Sequence, residues 1–175
     1  MDRLPQDPQN FREMVEADLR RAARLVIKVH DEIEPQFRIA TPTGDWWLAV
    51  TLPPDEYGRR VIFRNLATLM VWKQAVALTV ASELYEPDSI YCAGISATER
   101  HASLTPITRQ PRPWTKANFG PVEWLPVSSI DPMLVELLPK GPRPLTPKDV
   151  SAMIKWFGPD GKFPAINLAT GAVGV

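Results

Sequence analysis

The stretch Leu66–Leu84, LATLMVWKQAVALTVASEL, is an almost unbroken apolar run with a single lysine, Lys73, near its middle. It could be a membrane span, a helix of a soluble core, or a core helix lining a pocket around a buried amine. Its content rules out the span. Only 18 residues separate Arg64 from Glu83, and Lys73 and Gln74 lie among them. A bilayer needs about 20 consecutive apolar residues, and a central lysine costs about 2.5–3.5 kcal/mol.

The run therefore reads as part of one long central helix, from about Asp55 or Arg59 to Tyr85, closed by Pro87. On a helical wheel Arg60, Arg64, Thr68, Thr79 and Ser82 form the solvent stripe. Ile62, Leu66, Leu69, Val76, Ala77, Val80 and Leu84 form the core side, with Lys73 in their midst. A buried ammonium must pair, deprotonate or extend to an edge. One reading is a snorkelling lysine. The other is an amine tuned by burial for acid–base work or anion binding.

Working outward, Asn10 and Glu13 form a capping box for a helix that Pro35 stops. Val15, Leu19, Ala22, Val26, Val29 and Ile33 recur at steps of four and three, a seam suited to helix pairing or to lying on a sheet. Phe37 and Ile39, then turn residues Pro42 to Asp45, then Trp46, Leu48 and Val50, spell a β-hairpin. Ser89 to Ser96 and His101 to Thr108 spell a second hairpin, with Pro106 at an edge or bulge.

Later, Asp131 and Pro132 open a short helix, and Thr146 and Pro147 open another that Gly158 stops. Phe163 to Leu168 reads as a late strand. The expected fold class is α+β: an antiparallel sheet of four or more strands from two hairpins, with the long central helix and the N-terminal helix on one face.

The chain has 175 residues, 45% hydrophobic, enough for one core. Of 19 prolines, 12 lie between Pro106 and Pro164, so composition divides the chain. A single domain over residues 1–175 is expected, with its core at 10–109, a proline-rich C-terminal wrap at 110–168 and loose termini. Trp114, Phe119, Trp124, Trp156 and Phe157 are expected to anchor the wrap.

Twenty basic and 20 acidic side chains cancel, which opposes a general nucleic-acid or membrane-surface binder. The N-terminal residues have neither a basic leader nor an apolar core, so no signal peptide and a cytoplasmic location are expected.

Chemistry is sparse. The one cysteine, Cys92, excludes an internal disulfide framework, and no Gly-rich phosphate loop, CxxC, HExxH or nucleophile elbow occurs. His30 and Glu34 share a helix face without a third ligand, so neither a metal site nor a cofactor is expected. Cys92 and His101 fall on neighbouring strands, but a reactive thiolate needs an electropositive, partly exposed setting. The hairpin tip Glu99–Arg100–His101 reads as ordinary turn polarity or as a displayed binding tip, and the run Arg109 to Trp114 as a linker crossing the core or as a stretch for nucleic acid or extended peptide.

Two functional readings result. The first is a non-catalytic binding or regulatory protein acting through protein–protein contacts, with Val15, Leu19, Val26 and Val29 docking a partner or a second copy. The alternative is a small enzyme or ligand-binding protein whose pocket centres on Lys73, walled by Trp46, Trp47 and Tyr91. A nucleic-acid surface on Arg59, Arg60 and Arg64 is a third reading, opposed by the zero net charge.

Overall fold

The stretch Leu66–Leu84 divides into two elements. The computed structural model describes residues 10–29, 33–109, 117–140, 144–151 and 166–167. In chain order these give α1 (Phe11–Val29), β1 (Gln36–Thr41), β2 (Gly44–Ala49), α2 (Glu56–Trp72), β3 (Ala77–Tyr85), β4 (Asp88–Ser96) and β5 (Arg100–Thr108). Next come β6 (Asn118–Phe119), β7 (Glu123–Leu125), α3 (Pro132–Leu137), the start of a helix α4 at 147–151, and β8 (Ile166–Asn167).

The long central helix is corrected: α2 ends at Trp72, and the second half of the stretch is the strand β3. Ala75 N–H donates to Met70 O at 2.9 Å and Gln74 N–H to Val71 O at 3.1 Å, the paired bonds of a Schellman cap. Gln74 occupies the left-handed position with φ 54°. Val76 N–H then donates to Ala40 O at 2.8 Å and opens the strand ladder. The wheel fails past this point. Thr79, assigned to solvent, is 1% exposed, while Val76 and Leu84, assigned to the core, are 52% and 38% exposed.

Seven strands run in the order β6-β5-β4-β3-β1-β2-β8, all antiparallel, with β7 also pairing β5. The expectation of helices on one face is corrected too. α1 covers one face and α2 with α3 cover the other, because successive residues of the central strands bury both ways. Phe37, Ile39, Leu78, Val80, Ala93 and Ile95 meet Phe63, Leu66, Leu69 and Met70 of α2 and Leu134 and Leu137 of α3. On the opposite face Ala40, Ala77, Ala81, Ile90 and Cys92 meet Phe11, Val15, Leu19, Ala22 and Val26 of α1.

Small residues of the central strands under α1, Ala40, Ala77, Ala81, Cys92 and Gly94, let the helix lie close. A Cβ at Gly94 would stand 2.2 Å from Val15 Cγ2. Only glycine permits that approach.

Each described helix from α2 onward has a local start signal. Asp55 Oδ1 accepts from Gly58 N–H at 2.6 Å, and Asp131 Oδ1 from Met133 N–H at 2.9 Å with Pro132 at the first helical position. Thr146 Oγ1 accepts from Asp149 N–H at 3.2 Å while the Asp149 carboxylate takes the Thr146 N–H at 2.8 Å. No helix among the described residues is long and apolar enough to cross a membrane. The stop at Gly158, the anchors Trp114, Trp156 and Phe157, and His30 lie outside the described residues.

Candidate functional site

Between α2 and α3 lies an open groove of about 1000 Å³. One wall is a single face of α2, where Arg64, Ala67, Thr68 and Val71 stand three and four residues apart and stack on the same side. The other wall is the end of α3 and the turn after it, Val135 to Lys140. Its deepest side chains are Ile95, at the end of β4, and Leu137, both buried. Arg100 at the start of β5, and Lys148 and Asp149 in the first turn of α4, complete the rim.

The lining is aliphatic inside and charged at the edge. Four cations, Arg64, Arg100, Lys140 and Lys148, face two carboxylates, Glu136 and Asp149. All four cations are exposed, and none is in an ion pair among the described residues. The Asp149 carboxylate also accepts from the Thr146 hydroxyl at 2.8 Å, so it is engaged in its own helix cap. Thr68 donates back to Arg64 O at 3.2 Å.

The β4–β5 turn that carries Arg100 is held by Ser96. Its N–H donates to Glu99 O at 2.8 Å, and its Oγ accepts from Glu99 N–H at 2.9 Å. Arg100 is therefore displayed on a braced turn.

A second charged cluster sits under α1. Arg38 donates through Nε and Nη2 to Asp45 Oδ2 at 3.1 and 2.8 Å, and through Nη1 to Asp18 Oδ1 at 3.0 Å. Thr79 Oγ1 donates to Asp18 Oδ2 at 2.6 Å. Asp18, Arg38 and Asp45 are 2%, 5% and 6% exposed. Burial pushes the Asp18 carboxyl above its ordinary value, against the opposing pull of Arg38 and Thr79. Burial alone would lower the Arg38 guanidinium; the two carboxylates more than reverse that. This closed group ties α1 to β1, β2 and β3.

The residues singled out from sequence do not converge. Lys73 is the C-cap of α2, and its Nζ lies 3.8 Å from the Trp46 ring centroid and 4.6 Å from that of Trp72. Burial lowers its ammonium from the usual lysine value, and the two indole faces attract the cation in return. Trp47 points to the other face of the sheet, where its indole N–H donates to Gln36 Oε1 at 2.8 Å and Arg21 lies 4.2 Å from its ring centroid.

Tyr91 packs towards α3, and its hydroxyl donates to Ser129 O at 3.4 Å; burial pushes its pKa up to about 12. Lys73 and Trp46 thus meet, while Trp47 and Tyr91 stand apart from them and from each other. None of the four lines the groove.

The α1 seam is occupied by the chain's own sheet. Val15 and Leu19 are fully buried and Val26 nearly so. A seam hidden this way cannot dock a second copy without opening the fold. The Val29 side chain lies outside the described residues.

Cys92 stands opposite Ser103 rather than His101, is fully enclosed, and burial drives its thiol well above the ordinary value. His101 instead meets Glu99 at 2.7 Å, between the rings of Phe11 and Trp124. Arg109 pairs with Glu83 and Asp88, and Arg60 with Glu56. Among the described residues no three His, Cys, Asp or Glu side chains are grouped to hold a metal ion.

Of the groove's cations, the sequence marked Arg64 as helix surface and Arg100 as a hairpin tip. Lys140 and Lys148 carried no signal, because only tertiary packing brings the end of α3 and the start of α4 to the groove. Comparison with known proteins returned no match to a family model, a curated protein or a solved structure.

Proposed function

We propose that this protein is a non-catalytic binding module that works through protein–protein contacts, with the α2–α3 groove as its docking surface. The supporting observation is the groove's construction: an aliphatic interior about 1000 Å³ in volume, opened along one face of α2 and edged by charged side chains. Recognition sites combine an apolar interior with a few placed polar groups that fix orientation. The α2 face from Arg64 to Val71 spans roughly 10 Å, about two turns of a docked helix or three residues of an extended strand. That length suits a short peptide segment.

The rival reading, a small-molecule pocket centred on Lys73, has less support. Its amine lies against indole faces, and the residues offered as walls are divided between the two sides of the sheet.

Selection of a displayed library of random dodecapeptides on the immobilised protein tests the proposal. Retained peptides should lose binding to Val71→Asp, in the groove wall, and keep it with Tyr57→Asp, a fully folded control altered at an exposed α2 position. Retained peptides indifferent to Val71→Asp, or none retained at all, would remove the groove as the docking surface.

A further inference from the structure

Building on the groove as a docking surface, we infer that its partner is an acidic amphipathic peptide segment, with apolar side chains in the aliphatic interior and carboxylates on the cationic rim. The chain as a whole is neutral, with 20 basic and 20 acidic side chains. Against that balance the groove concentrates Arg64, Arg100, Lys140 and Lys148 around an opening that holds only Glu136 and Asp149 in return. Elsewhere four arginines are engaged by carboxylates, Arg20 by Glu16, Arg60 by Glu56, Arg38 by Asp18 and Asp45, and Arg109 by Glu83 and Asp88. Arg24 and Arg59 are exposed without an ion pair among the described residues but do not line the groove. The four at the groove have no such partner among the described residues.

Their placement also has a geometry. Arg64 and Arg100 come from α2 and from the braced β4–β5 turn, and Lys140 and Lys148 from the far wall and the start of α4. Cations therefore stand on both walls, Arg64 on α2 and Lys140 after α3. A helix with carboxylates on either side of an apolar stripe complements this arrangement, and a basic helix would be repelled by it.

The chain's own C-terminal stretch fits poorly as occupant. From residue 152 onward its charged side chains are Lys155, Asp160 and Lys162, a net positive set. Arginine at two of the four positions favours paired contact with carboxylates, which the lysines cannot make in that form.

The peptide selection is repeated on the wild type and on Arg64→Glu/Arg100→Glu, with thermal melts to verify that both are folded. Wild type should retain peptides rich in Asp and Glu around two or three apolar residues. A synthetic copy of one of them should bind the double variant about tenfold more weakly or worse, and lose affinity as salt rises. The double variant should instead retain basic peptides.

Neutral or basic peptides retained by wild type, yet lost on Val71→Asp, would overturn the acidic partner and leave the groove as a docking surface. Binding that ignores Val71→Asp would overturn the docking surface itself. Phosphatidylglycerol vesicles that bind through the same cations while acidic peptides do not would assign the rim to a membrane and equally overturn the inference.

Discussion

Arg38→Met removes the one guanidinium that two buried carboxylates share, and its cost can be worked out from the structure. Asp18 and Asp45 are 2% and 6% exposed, so neither regains bulk water when Arg38 is lost. Asp18 keeps the Thr79 hydroxyl, but no bond to Thr79 balances a charge. Breaking a buried pair by deleting one member costs about 3–5 kcal/mol. Domains have about 5–15 kcal/mol in all, and each kcal/mol moves a chain of this length by roughly 2–4 °C. The expected fall in melting temperature is therefore roughly 6–20 °C, read by calorimetry or circular dichroism.

The pH dependence gives an independent check. A carboxyl whose folded pKa is raised binds more protons folded than unfolded, so stability declines as pH rises through the raised value. Asp18 already lies in that direction, and losing Arg38 pushes it further. The gap between variant and wild type should narrow as pH falls from neutrality towards about 4, the ordinary carboxylate range. The apolar set Asp18→Leu, Arg38→Met, Asp45→Leu and Thr79→Val should regain most of the loss, since no stranded charge or hydroxyl remains. A single Arg38→Met variant within about 1 kcal/mol of wild type at neutral pH, with an unchanged pH profile, would refute this reasoning.

Three further outcomes are expected. Gly94→Ala places a methyl 2.2 Å from Val15 Cγ2 and should cost about 1–3 kcal/mol, with Val15→Ala in the same chain relieving part of it in a double-mutant cycle. Gln74→Gly removes a side chain from a left-handed cap position and should raise stability by about 0.5–1 kcal/mol in urea titration. Lys73→Met should lose about 1 kcal/mol, through its contacts with Trp46 and Trp72, and should shift both indole resonances by NMR; a neutral substitution with unmoved indoles would contradict that contact.

How far the fold could be read from sequence depended on whether the local chemistry was of the ordinary kind. Asp131–Pro132 and Thr146–Asp149 mark helix starts with side chains that cap in any context, and both do so here. The end of α2 was hidden because the Schellman cap uses Gln74 where glycine would have announced it. Nor did periodicity help. β3 is covered on both faces, so its apolar residues do not alternate with polar ones, and a short buried strand then looks like the continuation of a buried helix.

The β-branched pair Thr79–Val80 was the available hint. Asp18 was a second missed signal: it sits among Val15, Leu19 and Ala22 on the apolar side of α1, where a lone carboxylate has to be met by something. The groove was not legible at all, because its walls are about 70 residues apart in the chain and meet only through long-range packing.

The sheet also acts as an insulating wall. Its two faces carry separate sets of packed side chains, one under α1 and one under α2 and α3. Perturbations in sets of side chains that share no packing partner tend to add rather than couple. The α1 side can therefore accept repacking, including changes at Leu19 or Val26, while the groove on the far side keeps its shape and its charges. Drift on one face and selection on the other can proceed side by side across one sheet.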